Sequence, residues 1–335
     1  MVIYTGASTS LMYGYEAVFG TAPAASALIN TFGLNQKVTS LSLNTNRFQL
    51  NKLGQVEPTK YAYGQQSGSC SVGFVFDDSH SHKIFKSVYG TASGTAPFLY
   101  PAALGQTNAP TGVTGNSITT QIQLQTGADK LTRTLNGCIV NSLGLSTSIG
   151  EPVNGTVDMS FGKETTAAVK TSSSNITEQT STSPAVDQGG IPYTFAHGLV
   201  KVHNGSALTA VAEVQEFDIT FAQNAELLYG LNSHTAVDAY RRVFDISGRF
   251  RAAFKDEKLI QYVIDQSRVG TELLTSGVGV ELTFANAAAN KSIKIELNEL
   301  SVADHSTSGI EPAEPVFEEI NWSCKAARIT VDTTA

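Results

Sequence analysis

The sequence predicts a mainly β protein built from two tandem antiparallel domains of sandwich or barrel type, each flanked by a short helix. Composition is the first reason: only 15% of residues are charged while Gly, Ser, Thr and Asn abound, which suits turn-rich β structure and not a helical bundle. Period-two alternation of apolar residues is the second, because it buries one face of a strand and wets the other. The third is internal repetition. Val38, Leu41, Leu43 and Gly54 match Val214, Phe217, Ile219 and Gly230 at one constant offset. Ser67-Gly68 and Phe74 return as Ser247-Gly248 and Phe254, and TSIGEP ending at Pro152 returns as TSGIEP ending at Pro312. Segments repeated in the same order indicate a duplicated domain.

Along the chain, residues 1–37 read as an arm or a first strand region, with loosely clustered apolar residues and scattered glycines. The first copy spans 38–163. Its strand at Val38–Leu43 puts Leu41 and Leu43 on one face, and Ile118–Leu124 puts Ile118, Ile122 and Leu124 on one face with Thr120 interrupting. Ser81–Tyr89 is its helix. Residues 164–190 hold almost no large apolar side chain, too little to offset the entropy of ordering them alone, and read as a linker or surface loop. The second copy spans 191–335. Phe217, Ile219 and Phe221 alternate with polar neighbours, as do Val278, Val280, Leu282 and Phe284, and then Ile293, Ile295 and Leu297. Its helix is Lys255–Val269, where Leu259, Ile260, Val263 and Ile264 form one stripe able to lie on a sheet.

A net charge of −7 disfavours a nucleic-acid-binding surface. Cys70, Cys138 and Cys324 are far apart without paired spacing and read as small buried hydrophobes. The opening MVIYTGASTSLMYG lacks the basic and continuous apolar stretches of a secretion signal, so a cytoplasmic product is expected. No apolar run approaches the roughly 18 residues of a membrane span. Sequons at Asn154, Asn175, Asn204 and Asn290 are expected by chance in such a composition.

Chemistry is sparse. Asp77, Asp78, His80 and His82 form the one cluster with metal-like character, but Ser79 or Asp78 capping the following helix explains it better, and the second copy has no histidine there. His197, His203, His234 and His305 are scattered. Glu311, Glu314, Glu318 and Glu319 sit among prolines as a solvated loop or strand face, not a paired-carboxylate site. Gly144-Leu-Ser146-Thr-Ser148-Ile-Gly150 has no partner motif for a nucleophile, and no phosphate-binding loop is present. No catalytic residue, cofactor or metal is therefore expected. Arg241, Arg242, Arg249 and Arg251 form the densest basic stretch and are the assembly candidates, expected to face neighbouring subunits.

The opening Tyr13-Gly14-Tyr15-Glu16-Ala-Val-Phe19-Gly20-Thr21 resembles the start of tail tube proteins (major tail proteins) of long-tailed phages and archaeal tailed viruses. Asn136-Gly137-Cys138-Ile139-Val140-Asn141-Ser142-Leu143 followed by Gly150-Glu151-Pro152-Val153 is similar to a second segment of that family. Asn224-Ala225-Glu226-Leu227-Leu228-Tyr229-Gly230-Leu231 followed by Ile246-Ser247-Gly248 is similar to a third. The resemblance implies a non-enzymatic virion protein, assembled in the host cytoplasm, that stacks as rings into the hollow tail tube conducting viral DNA without tight binding. It implies self-association and contacts with tail terminator, tape measure and baseplate proteins. Family rings contain six single-domain chains, so a duplicated chain implies a trimer with pseudo-sixfold symmetry. A tube or baseplate component of a contractile injection particle is the alternative, and a surface β protein (an adhesin or surface layer) a weaker one. The arm, the loop at 90–117 and the linker are expected to contact other subunits, not the core. Deleting Ser172–Ser183 is expected to leave a soluble subunit with unchanged circular dichroism while weakening tube formation in electron micrographs.

Overall fold

The computed structural model describes residues 9–23, 30–50, 52–53, 60–90, 92, 97–101, 116–126, 129–169, 190–203, 208–211, 214–253, 278–286, 290–308 and 316–333. It is mainly β. The first set of strands is β1 (Thr9–Tyr15), β2 (Leu34–Asn44), the hairpin β3 (Arg47–Leu50) and β4 (Lys60–Tyr63), β5 (Ser67–Val75), β6 (Phe98–Tyr100), β7 (Ile118–Thr126), β8 (Asp129–Ser148), β9 (Asn154–Phe161) and β10 (Lys163–Val169). A 3-10 turn (Ser81–Ile84) leads into the short helix α1 (Phe85–Tyr89) between β5 and β6. The second set is β11 (Gly198–His203), β12 (Leu208–Val211), β13 (Val214–Ala222), the hairpin β14 (Glu226–Leu228) and β15 (Asp238–Tyr240), β16 (Asp245–Ala253), β17 (Val278–Asn286), β18 (Lys291–Ser308) and β19 (Phe317–Asp332).

Strand order is the same in the two sets. In the first, β2, β5, β9 and the second half of β8 lie side by side; in the second, β13, β16, β19 and the second half of β18 do. The first half of β8 lies between β7 and β10, with β1 beyond β7. The first half of β18 lies between β17 and the end of β19, with β11 beyond β17. Each set carries a detached hairpin between its first two long strands. Register also agrees. The row Leu43–Gly68–Phe161 has its counterpart in Ile219–Gly248–Trp322, and Leu41–Cys70–Met159 in Phe217–Phe250–Ile320.

The repeated Ser-Gly pair has a steric reason. A Cβ on Gly68 would stand 2.0 Å from the Phe161 ring, and one on Gly248 2.5 Å from the Trp322 ring and 2.2 Å from Asp218 O. In both sets the large ring lies flat over the strand only because the opposite residue has no side chain.

The sets are not separate bodies. β13 pairs antiparallel with the second half of β8, from Glu216–Ser148 to Ala222–Ser142, which makes one sheet of 15 strands. The core is correspondingly continuous. Ring contacts run from Tyr13 through Phe32, Phe74, Phe76 and Phe85 to Phe221, and from Phe76 through Tyr193 and Phe284 to Phe217. Each such pair adds about 0.5–1.5 kcal/mol beyond its buried area.

Several expectations need correcting. Of the two readings of residues 1–37, the described part is the first strand region and part of the core, not an outlying arm: Tyr13 and Phe32 are fully buried and β1 is hydrogen-bonded to β7. The 90–117 segment contributes β6, which pairs with β19 and buries Tyr100. The stretch after Lys163 begins with a strand, because Glu164–Val169 finds an edge on β8 that a composition argument cannot see. β7, paired with β1 on one edge and β8 on the other, buries both faces, Thr119 and Gln121 as well as Ile118 and Ile122. The helix expected at Ser81–Tyr89 is half 3-10 turn; its counterpart at Lys255–Val269 lies outside the described residues, as does 170–189.

Gly68→Ala and Gly248→Ala are each expected to cost about 1–3 kcal/mol through overpacking. Gly144→Ala, whose Cβ would meet nothing nearer than 3.8 Å, should stay within about 0.5 kcal/mol. Urea unfolding midpoints of the three variants check the contrast.

Candidate functional site

Two segments singled out in the sequence meet at one buried carboxylate. Glu16 follows β1, and its Oε1 accepts from Thr119 Oγ1 at 2.7 Å and from Gly137 N at 2.8 Å, while Oε2 accepts from Gly20 N at 2.8 Å. The side chain is 1% exposed. Gly137 has φ +64°, and a Cβ there would meet the Phe19 ring at 2.8 Å. One acid thus ties the first turn, β7 and β8 together, and Phe19 is laid over the bend in β8. The segment at 147–153 closes the β8–β9 hairpin through Ser148 Oγ to Glu151 Oε2 at 2.9 Å, with Gly150 at φ +82°. In the third segment, Asn224 (φ 48°) donates to Val243 O at 3.0 Å and so shapes the entry to the β14–β15 hairpin.

The sheet ends in open edges. Among the described strands, β2 pairs on one side only, with β5, and the Leu300–Ser308 half of β18 pairs on one side only, with β19. The consequence shows in equivalent residues. Ile219 of β13, flanked on both sides, is 0% exposed, whereas its counterpart Leu43 of β2 is 43% exposed. Position in the row is the same; the missing neighbour is the difference. An unpaired edge carrying apolar residues is an association surface unless something covers it.

The face of these eight strands turned away from the core is polar and internally matched. Ser42 meets Ser69 at 2.8 Å, and Ser71 and Ser142 both donate to Asp158, at 2.5 and 2.8 Å. Arg249 is held between Glu216 at 2.6 Å and Glu319 at 3.5 Å, and Asn321 donates to Asp304 at 2.6 Å. Arg251 lies over the Phe317 ring, 4.5 Å from its centroid. Arg249 and Arg251 do share a strand face, as alternation predicts. Arg241 and Arg242 are elsewhere: Arg241 donates to Ser87 O and Val88 O at the end of α1, where burial pushes it down to about 10, and Arg242 pairs with Glu226. The four arginines are therefore not one patch, and each has a partner inside its own chain.

The 77–82 cluster is a structural cap. Asp77 Oδ1 accepts from the amides of Ser79, His80 and Ser81 at 3.0, 2.6 and 3.0 Å, so the carboxylate that holds the start of the 3-10 turn is Asp77's, not Asp78's, while His80 in the N-cap position makes no side-chain cap bond. Asp78 reaches across to Ile191 N and Asn286 Nδ2, at 3.0 and 3.2 Å. His82 is buried against the Phe98 ring, and burial, reinforced by Lys83, pushes it down to about 4. Among the described residues no group of His, Cys, Asp and Glu is arranged to hold a metal ion. Cys70 and Cys138 are buried and Cys324 half-buried; all are unpaired, and burial raises their thiols, Cys70 to about 11 and Cys324 to about 12. Glu318 is buried with His305 Nε2 at 3.0 Å, while Glu311 and Glu314 lie outside the described residues. His197 caps its own turn by accepting from Thr194 N at 3.1 Å, and His234 meets Gly64 O at 3.1 Å. Sequence reasoning missed Glu16 as an anchor. The signal was its place between Gly14 and Gly20 in an otherwise weakly charged stretch.

The sequence profile of the phage tail tube protein family matches residues 6–324. No curated protein matches the chain. Among solved structures, the chain is similar to a protein in the virion of a native gene transfer agent particle, at 14% identity, covering 42% of this chain and 98% of that one, with TM-score 0.28. A chain from the tail of an empty particle of the same kind, refined helically with C6 symmetry, is similar at 15% identity with the same coverage and TM-score 0.28.

Glu16→Ala strands three donors around a buried site and is expected to cost about 3–5 kcal/mol, with Glu16→Gln losing less, by urea unfolding. His82 gives a pH effect of defined sign. The unfolded chain takes up a proton below about pH 6.5 while folded His82 resists it to about pH 4, so stability falls as pH drops through that window. The loss from this group between pH 7 and 5 is about 2 kcal/mol, at 1.36 kcal/mol per pKa unit. His82→Phe should remove that increment from unfolding curves at the two pH values.

Proposed function

The chain belongs to the phage tail tube protein family, and from that premise we propose that it polymerises as stacked rings into the hollow tube through which viral DNA leaves the particle. Its role in the virion tail is structural, not enzymatic. We further read the chain as a tandem duplication in which each set of strands is one tube unit. The first unit then begins at β1, not at Val38. Three chains bring six four-stranded units to a ring, so a trimer closes with pseudo-sixfold symmetry.

The observation that carries this reading is the β8–β13 joint. It is a unit-to-unit contact already made inside one chain, with the last strand in the order of one unit hydrogen-bonded to the first strand of the next. The two edges left over, β18 and β2, are the equivalents of the two strands that meet there. Antiparallel pairing of β18 with β2 of the next chain repeats the joint and bury Leu41 and Leu43 as Phe217 and Ile219 are buried. Closure leaves no edge.

In this ring the polar face of the eight strands lines the channel, since the core covers the other face. Arg249 and Arg251 then lie on the channel side and not toward a neighbour. They are offset by Asp158, Glu216, Asp218, Asp304 and Glu319, and a cation already bound to carboxylates is a weak phosphate ligand. A conduit needs that weakness, because each retained phosphate contact would brake a sliding polyanion. Tail terminator, tape measure and baseplate proteins would meet the ends of the tube.

Rings of wild-type protein imaged by electron microscopy should show three chains each; six chains would overturn the trimer. Leu43→Lys should leave the subunit folded and lose about 2 kcal/mol per joint, about thirtyfold in affinity, so that rings form only at much higher concentration. Assembled tubes should not retain duplex DNA at about 150 mM salt.

A further inference from the structure

The β14–β15 hairpin does not rest on its own strands. Its connecting loop lies across the first unit: Gln66 N donates to His234 O at 2.6 Å, Tyr229 OH donates to Gln66 O at 3.0 Å, and Ala236 N donates to Gly162 O at 3.3 Å. Beneath it, Leu227 and Ala239 cover Ile139 of β8. Within one chain, then, the hairpin of the second unit is a latch on the first.

The matched registers say where the same latch would land on the second unit. Gly68 corresponds to Gly248 and Phe161 to Trp322, so Gln66 corresponds to Ile246 and Gly162 to Ser323. At those positions there is an open groove of about 590 Å³, bounded by Asp245, Ile246, Glu299, Ser323 and Lys325 among others. In the row where Ile139 meets Ser160, the second unit has Asp304 meeting Asn321.

The remaining hairpin is β3–β4. All eight of its strand residues are exposed, including Phe48, Leu50, Tyr61 and Tyr63, and Leu53 beyond β3 is fully exposed. A two-stranded ribbon exposed on both faces is marginal alone. It carries Arg47, Lys52 and Lys60 against the single carboxylate Glu57, while the groove and the strand beside it present Asp245 and Asp304, with Glu299 paired to Lys325 at 2.7 Å.

The geometry points to the β3–β4 hairpin of the next copy in the ring, the one whose β2 pairs with β18, seated in the Asp245–Ser323 groove of this copy. The second copy's hairpin would sit on the chain as β14–β15 sits on the first unit. This inference rests on the ring reading above and adds a lateral latch to the strand-to-strand joint.

The test is a disulfide between Leu53→Cys and Ser323→Cys, both at exposed positions, in a chain that also carries Cys324→Ala to remove the free thiol lining the groove, formed by mild oxidation of assembled tubes. Non-reducing gels should show linked species that stop at three chains, absent from either single variant. Rings visible by electron microscopy without cross-linking would overturn the seat. A ladder running past three chains would place the hairpin between rings and overturn it as well. Failure of the wild-type protein to form any ring would strike the assembly reading itself, which the microscopy distinguishes.

Discussion

The backbone ladder between β8 and β13 is the contact on which the rest of the molecule depends. It is made of seven cross-strand partnerships and joins the two sets of strands edge to edge, with no linker between their sheets. Hydrogen bonds of a ladder fix direction and register at once, so the apolar faces of the two sets fall on the same side. Phe217 and Ile219 of β13 then continue the row begun by Leu145 and Thr147 of β8, and one core forms where two were expected.

That ladder also accounts for what is unsatisfied. A row of paired strands has two ends, and pairing the sets internally leaves β2 at one and the second half of β18 at the other. Leu43 is half-exposed because its neighbour is missing, not because its sequence differs in kind from that of Ile219. In the proposed ring the chain meets itself again at these edges. The polar face follows the same logic. Its serines, carboxylates and Arg249 are hydrogen-bonded to one another across strands, so much of its charge is matched within the chain.

Near the start of the chain, Glu16 does for the first turn what the ladder does for the sheet. A buried carboxylate is expensive unless donors surround it, and three do. Their positions in sequence, 20, 119 and 137, are far apart, so the acid is satisfied only when β1, β7 and β8 are all in place. Gly137 permits the bend that brings its amide to Glu16, and Phe19 fills the space its absent side chain leaves.

Much of this was legible in the residues. Alternation located β13, β17 and β18, because a strand with one wet face writes its period into the chain. The repeated Ser-Gly pairs marked equivalent rows, since an aromatic ring opposite excludes any Cβ at Gly68 and Gly248. Composition ruled out a helical bundle. Other features belong to tertiary structure alone. β1, β6 and β10 are strands because an edge was waiting for them, and no local pattern records a distant edge. β7 is buried on both faces, so its Thr and Gln residues read as solvent-facing when they are not. The cap was expected from Ser79 or Asp78, and only folding shows that Asp77 is the side chain whose carboxylate meets the amides. The partners of Arg241, Arg242, Arg249 and Arg251 lie from 2 to 154 residues away along the chain, and only folding chooses among the carboxylates, carbonyls and rings within reach.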